Sequence, residues 1–467
     1  MNIPVDFQIV GPGAVVLLGA LVALLVDAFY PRRTWLGSAI PSGLAVAIAL
    51  ALAATHRDDL GPLPYALTLI VLVGTLGVVV ASNIKNYELA MPPGEYHFLL
   101  LSAASGAAMM VVARDLVTLV VSLELLSLAS IALVGLRQGD AAAIRAAWKF
   151  LIASLMASAV TLMGVSLLYG ATGQMGYAQI RAALEEPGVP DQVVAVAVVL
   201  TLAGLLFKLG AVPFHAWVPE AYSRASTMVA AFLSTVSKAA ALGAVLVLLA
   251  VALPYQYGMW QPLIAVVAVA SMTVGNIGAL KQDDVVGVLA WSSIAQAGFV
   301  LAPAVALPGV DGLKAPVQYL AVYAVATLAA FAVLAVMVRL RGATSLAELR
   351  GLVRSDPWMG LPLAFVLLVL AGFPPAIIGV VTKYVVVAPV IDEGYTWLAI
   401  AMGVNILLGL AVYLRCVFVL LDRPVGEPYV SPSPPVSVRV AKACVLAGAA
   451  VLIATSVWPG LLLDHLP

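Results

Sequence analysis

The sequence predicts an all-α integral membrane protein of about fourteen transmembrane helices, and three observations predict it. Hydrophobic residues make up 63% of the 467-residue chain and charged residues only 10%, whereas a soluble domain is about half apolar and about a quarter charged. Runs close to the roughly 20 apolar residues that cross a bilayer recur from one end to the other. Two of those runs are interrupted by glycine and proline in matching places of the two halves, which points to an internal repeat and an ion path. No water-soluble core hides this much apolar surface, so lipid is the solvent, and helices satisfy their backbone groups within each span.

The runs fall near 9–29, 36–55, 63–83, 97–113, 115–136, 146–170, 192–216, 227–253, 260–280, 285–307, 315–340, 358–390, 395–421 and 438–460. The run at 192–216 carries Gly210 and Pro213, and the over-long run at 358–390 carries Gly372, Pro374 and Pro375. Proline inside a helix removes a hydrogen bond and kinks or breaks it. Loops after odd-numbered runs hold fifteen basic residues (Arg32, Arg33, Lys85, Arg137, Arg145, Arg224, Lys281, Arg339, Arg341, Arg350, Arg354, Arg415, Arg423, Arg439 and Lys442), while loops after even-numbered runs hold four: Arg57, Arg114, Arg181 and Lys314. Basic loops stay on the cytoplasmic side, so both termini are expected on the outer face. No cleavable leader is expected, because the first run lacks a basic prelude and ends in Asp27 and Pro31-Arg32-Arg33.

Composition also excludes function classes. The formal net charge is zero, so no basic surplus advertises nucleic acid. Cys416 and Cys444 lie far apart in apolar runs and fit neither a metal site nor a disulfide framework. No P-loop, GxGxxG fingerprint, haem CxxCH or iron–sulfur cysteine run appears. The energy for any transport is then expected from partner subunits or an ion gradient.

The candidate chemistry lies in charged residues inside the runs. Lys208, Lys238 and Lys383 stand in LLFKLGAVPFH, FLSTVSKAAAL and IIGVVTKYVVV, and Glu124 stands in LVVSLELLSLAS. An ionised group at the bilayer centre costs at least about 2.5–3.5 kcal/mol, so these four are expected to face the bundle interior. Structural ion pairing is one account of them, but three amines against one acid leave an excess of base. The other account is proton handling: burial disfavours an ammonium and a neighbouring carboxylate favours it, so a lysine that gains and loses such a partner takes up and releases a proton. Glu124 is the natural partner for Lys208, Lys238 the central relay and Lys383 the exit-side group. His215, seven residues after Lys208, is expected on roughly the same helix face, either on a proton relay or bonded to a loop carbonyl. Lys149 either snorkels to the interface or lies on the proton path. His56, His97 and His465 are expected at solvated membrane edges. Asp27, Arg114 and Asp115 fall at span ends and suit structural roles. Ser122, Ser127, Thr235, Ser237, Ser292, Ser293, Gln296 and Asn405 are polar residues inside runs, where such groups bond across helices or order water.

Longer stretches resemble a known family. GEYHFLLLSAASGAAMMVVARDLVTLVVSLELLSLASIALVGL at 94–136 resembles the fourth and fifth spans of subunit N of bacterial respiratory complex I. LLFKLGAVPFHAWVPEAY at 205–222 and AFLSTVSKAAAL at 231–242 resemble its seventh and eighth spans, and LAWSSIAQAGFVL at 289–301 and GFPPAIIGVVTKY at 372–384 its tenth and twelfth. The related M subunit carries glutamate where Lys383 stands, and the L subunit carries a lateral helix beyond this length.

The resemblance implies two inverted five-helix repeats, each with a broken helix. Three N-terminal helices would occupy 1–90, the first antiporter-like repeat 91–255 (spans four to eight), the inverted repeat 256–425 (spans nine to thirteen) and a C-terminal helix 426–467. It implies a proton-translocating subunit of NADH:quinone oxidoreductase, driven by quinone reduction elsewhere in the complex. Glu124, Lys208, Lys238 and Lys383 would form the path, with Lys149 and His215 on the same axis. It implies no cofactor on this chain, with NADH, FMN, Fe–S clusters and quinone in partner subunits. Its partners would be antiporter-like subunit M and small subunits such as K, in the bacterial cytoplasmic membrane. The chain departs from the family's YSSIAHxGY at Trp291, Gln296 and Phe299, and has Val286-Gly287, Ser237 and ASTMV (Ala225 to Val229) where the family has Lys-Arg, proline and APTPV. Gln296 cannot titrate, so a proton relay there would need bridging water. A cation/proton antiporter subunit, a membrane hydrogenase subunit and a purely structural anchor are the competing readings.

Overall fold

The structure, a computed structural model, describes residues 7–29, 36–82, 92–137, 139–342, 344–423 and 436–466, and no strand is formed among them. Arg32, Arg33 and Lys85 of the predicted loops lie outside the described residues, as do parts of the predicted unit boundaries. Three helices open the chain: α1 (Phe7–Phe29), α2 (Leu36–Thr55) and α3 (Pro62–Ala81). They are followed by α4 (Pro93–Val111), α5 (Leu116–Gly135), α6 (Ala141–Thr172), α7 (Asp191–Leu209), α8 (Trp217–Arg224), α9 (Thr227–Ser234) and α10 (Val236–Val247). The remainder is α11 (Tyr257–Leu280), α12 (Val285–Leu301), α13 (Val310–Arg341), α14 (Pro357–Ala371), α15 (Ile377–Asp392), α16 (Thr396–Leu421) and α17 (Val436–Val457), with short helical pieces at Arg57–Leu60, Tyr177–Glu185, Leu352–Ser355 and Gly460–Leu463.

Each predicted run carries helix, and eleven helical segments among the described residues are individually long and apolar enough to cross a membrane. The other predicted spans are α4, diluted by His97, Ser102 and Ser105, the separate pieces α14 and α15, and α17. The chain is therefore a multi-pass membrane protein, and the expected count of fourteen is not reached on that measure. Burial sorts the segments. Apolar 18-residue windows within 227–252 and 285–306 are 89% and 94% buried, whereas the corresponding window of α6 is 28% buried. Helices α9, α10 and α12 thus form the interior, and α6 presents Trp148, Ile152 and Met156 outward.

The two halves follow one plan. Asp115 caps α5 by accepting from Thr118 N at 2.7 Å, and Asp284 caps α12 by accepting from Gly287 N at 2.9 Å. Such caps satisfy amides that the first helical turn leaves without partners. Asp115 bridges to Gly176 and Asp284 to Ser345, in two isolated antiparallel contacts. The helices between, α6 and α13, are both 32 residues long and both end at a left-handed glycine, Gly173 and Gly342. Where α4 meets α5, a Cβ on Gly106 would lie 2.6 Å from Leu126 N; where α11 meets α12, a Cβ on Gly275 would lie 2.3 Å from Ala295 N. Small residues let backbones approach this closely in a membrane, where packing drives association.

Both expected breaks occur. Helix α7 ends at Gly210 (φ +74°) and α14 at Gly372 (φ +71°), left-handed positions that glycine adopts without penalty, and a proline follows each three residues on (Pro213 and Pro375). The first break is an end rather than a kink: Gly210 closes α7 in a left-handed cap and residues 212–216 are turn. Two expectations need correction. The run at 227–253 is not one α-helix: Thr235 (φ −110°, ψ −73°) separates α9 from α10, and a π-turn at Leu248–Ala252 closes it. His97 is fully buried rather than solvated, with Nδ1 at 2.8 Å from Pro93 O and 3.1 Å from Ser38 Oγ.

Candidate functional site

The two breaks and the helices crossing them hold the predicted lysines. Lys208 stands two residues before Gly210, in the last turn of α7, and is 1% exposed. Its Nζ has no hydrogen-bond partner among the described residues and lies 5.5 Å from the Phe150 ring centroid. Phe150 stacks on Trp217 at 4.2 Å, and Trp217 Nε1 donates to Phe207 O at 2.9 Å. The aromatic floor under the amine is thus pinned to the end of α7, and a cation over a ring face is attracted by its quadrupole. Glu124 on α5, the expected partner of Lys208, does not pair with the amine: its carboxylate accepts a hydrogen bond from Ser158 of α6.

Lys238 on α10 is 3% exposed and reaches across the break. Its Nζ donates to Leu209 O at 2.6 Å and to Ser293 O at 2.8 Å. Leu209 O is a carbonyl that the end of α7 leaves without a helical partner, and Ser293 lies in the middle of α12. Gly210 makes room for this: a Cβ there would lie 2.7 Å from Val218 Cγ2 and 3.7 Å from Lys238 Nζ. Lys208 and Lys238 therefore converge on one helix end.

Lys383 on α15 is 6% exposed and folds back over the second break. A Cβ on Gly372 would lie 2.6 Å from Lys383 Cδ. Its Nζ sits 4.2 Å from the Phe299 ring centroid and 6.0 Å from that of Tyr319. Beside it Tyr319, Val322, Tyr323, Val369, Leu370 and Thr382 line a cavity of about 10 Å³.

Buried polar groups on α12, α13 and α16 are hydrogen-bonded to one another. Tyr319 donates to Gln296 Oε1, and Gln296 Nε2 donates to Tyr413 at 2.9 Å. Tyr413 and Ser292 share a hydroxyl–hydroxyl contact. Ser293, next along α12, lies 3.4 Å by its hydroxyl from Tyr222 and offers its carbonyl to Lys238.

Two candidates lie apart from this chain. Lys149 is 66% exposed and pairs with both carboxylate oxygens of Glu220, at 2.8 and 2.9 Å, tying α6 to α8. His215 is not one face on from Lys208, because α7 has ended before it; it lies in the turn, half-buried, its ring 5.8 Å from Trp291. Sequence reasoning missed Glu220, Ser158, Tyr222, Tyr319 and Tyr413. Tyr319 and Tyr323 did carry a signal, being two phenols four residues apart on one face of an apolar helix.

Comparison with known proteins agrees with this architecture. The profile of the NADH:quinone oxidoreductase/Mrp antiporter transmembrane family matches residues 113–409. A protein of Streptomyces griseus named NADH-quinone oxidoreductase subunit N 2 is 40% identical over 449 residues, covering 91% of this chain and 84% of its own. A chain of respiratory complex I from Thermus thermophilus with bound aureothin superposes with a TM-score of 0.80 at 31% identity, over 97% of this chain and 98% of that one. A chain of the Mrp complex from Dietzia sp. shares the fold, with a TM-score of 0.84 at 23% identity over 98% of this chain and 96% of that one. On its apolar helices, its two glycine breaks and these likenesses, the chain belongs to the subunit N family of the NADH-quinone oxidoreductases, within the NADH:quinone oxidoreductase/Mrp antiporter transmembrane family.

Proposed function

We propose that the chain is a proton-translocating membrane subunit of an NADH:quinone oxidoreductase and that its protons move along Glu124, Lys208, Lys238 and Lys383. The observation that carries this reading is Lys238, a buried amine held between the freed end of α7 and the middle of α12. A structural ion pair matches charge with charge, whereas here carbonyls solvate the amine, as water would. Glu124 modulates Lys208 through space, and the hydroxyl and amide groups beyond Ser293 lead toward Lys383. His215 serves at the turn as a ligand for water. Lys149 with Glu220 positions α8 at the edge of the same axis.

In this reading the redox chemistry belongs to partner subunits that carry NADH, FMN, Fe–S clusters and quinone, and the chain contacts an antiporter-like neighbour of the M type and small subunits of the K type. The units 91–255 and 256–425 are the two inverted repeats, and fourteen spans place both termini on the outer face. The test is proton uptake per electron in vesicles bearing the assembled complex with Lys208→Ala, Lys238→Ala or Glu124→Ala. Reduced uptake at retained assembly is expected. Wild-type uptake in all three variants means that these groups merely anchor helices.

A further inference from the structure

Three backbone groups at the first break are met from three different helices. Phe207 O accepts from Trp217 Nε1 of α8 at 2.9 Å, and Leu209 O from Lys238 of α10 at 2.6 Å. Val212 N, past the end of α7, donates to the hydroxyl of Ser271 on α11 at 2.9 Å. Ser271 is 0% exposed, and its own hydrogen goes to Val267 O at 2.7 Å, one turn back along α11. A hydroxyl has one donor and two acceptor positions, so with the hydrogen held by α11 a lone pair is left to take the amide.

Helix α11 is locked to α12. A Cβ on Gly275 would lie 2.3 Å from Ala295 N, and one on Gly298 would lie 2.4 Å from Ala268 O. Backbones this close leave no room for one helix to slide on the other. Helix α12 carries Ser293, whose carbonyl is the second acceptor of Lys238 at 2.8 Å. One helix pair from the second half therefore grips the amide three residues past Leu209 and also supplies one side of the Lys238 seat. The two carbonyls that Lys238 bridges belong to different halves, and the bond from Val212 to Ser271 ties those halves together beside them.

The second break is held differently. Ile378 N, in the first turn of α15, lies 3.4 Å from the hydroxyl of Ser456 on α17, a helix that follows both halves. Lys383 there sits over ring faces.

We propose that Ser271 is a positioning residue for Lys238: by taking the Val212 amide it keeps the freed end of α7 where one amine reaches both Leu209 O and Ser293 O. This rests on the proton-path reading above.

The test uses the whole complex in proteoliposomes, with proton uptake per NADH oxidised and melting temperature as separate readings. The variants are Ser271→Ala, Ser271→Cys and Ser271→Thr, with Lys238→Ala as reference and Ser130→Ala as control. Ser130 is likewise buried, and its hydroxyl bonds within its own helix, to Leu126 O. Alanine removes the acceptor and cysteine weakens it, and an unsatisfied buried amide frees the turn, so both are expected to lose about half as much uptake as Lys238→Ala or more. Threonine keeps a hydroxyl that bonds the carbonyl one turn back, so Ser271→Thr is expected to retain uptake, as is Ser130→Ala. If Ser271→Ala does not assemble, Ser271→Cys, nearly the same in shape as serine, supplies the reading. A lower melting temperature with wild-type uptake in Ser271→Ala, while Lys238→Ala loses uptake, overturns the positioning role and leaves the proton path standing. Equal losses in the Ala and Thr variants also overturn it, because packing alone would then explain them. Wild-type uptake in Lys238→Ala removes the path and the positioning role together.

Discussion

The two breaks share a backbone and differ in what surrounds the amine. At the first, Lys208 precedes the glycine and lies over the Phe150 ring, and Lys238 donates to two carbonyls. At the second, Lys383 follows the glycine, lies against Phe299 and Tyr319 and forms no ion pair among the described residues. A repeated scaffold thus sets Lys208 and Lys383 over ring faces beside each glycine, while the first break adds an amine, Lys238, answered by main-chain carbonyls. Ring faces answer a desolvated cation with about 2 kcal/mol, less than a set of charge-assisted hydrogen bonds supplies.

The sharpest way to break this comparison is to remove Lys238. Lys238→Ala leaves Leu209 O and Ser293 O without their donor, and charge-assisted bonds are worth about 1.5–3 kcal/mol each. Expected are a loss of proton uptake and a lower melting temperature of the purified complex, both larger than for Lys383→Ala. Equal effects would mean that carbonyls and rings serve the amines alike. Next come the glycines. Gly210→Ala and Gly372→Ala each force a left-handed residue, at about 1–2 kcal/mol; the first drives a methyl into Val218 Cγ2 at 2.7 Å, and the second into the Lys383 stem at 2.6 Å and toward the Gly379 carbonyl at 3.1 Å. Thermal unfolding in detergent should rank Gly372→Ala as the worse, with proton uptake falling in parallel.

Smaller effects test whether the halves are equivalent away from the amines. Asp115→Ala and Asp284→Ala each remove an N-cap, typically about 1 kcal/mol, and hydrogen exchange at the first turns of α5 and α12 should rise by similar factors. Smallest is Lys149→Ala. Its pair with Glu220 is exposed, and such pairs contribute about 0–1 kcal/mol. Stability and uptake should stay near wild type. A large loss of uptake would instead place Lys149 on the path.

Much of this was legible in the sequence because lipid imposes simple rules. Long apolar runs announce helices, Gly372 with Pro374 and Pro375 announces a break, and three lysines in such runs announce an interior. What the sequence hid depends on which helices face one another. Ser158 caps Glu124 from a helix whose face no periodicity singles out, since α6 is apolar nearly all round. Tyr413 reaches Gln296 from more than a hundred residues away. His97 read as an edge residue because its run begins beside it, yet α4 starts four residues earlier and is covered by its neighbours. The stop at Leu209 was blurred because glycine and proline together signal interruption without saying whether the helix bends or ends.

The two carbonyl bonds of Lys238 bear on how a buried amine is held in place. An ammonium has three hydrogens, and the carbonyls of Leu209 and Ser293 occupy two of them. A neutral amine still has two hydrogens, enough to keep both bonds, and its lone pair appears where the third hydrogen was. The nitrogen can thus stand at one fixed point in either state, and loading or unloading it demands no excursion of the side chain and no rearrangement of the helices it joins.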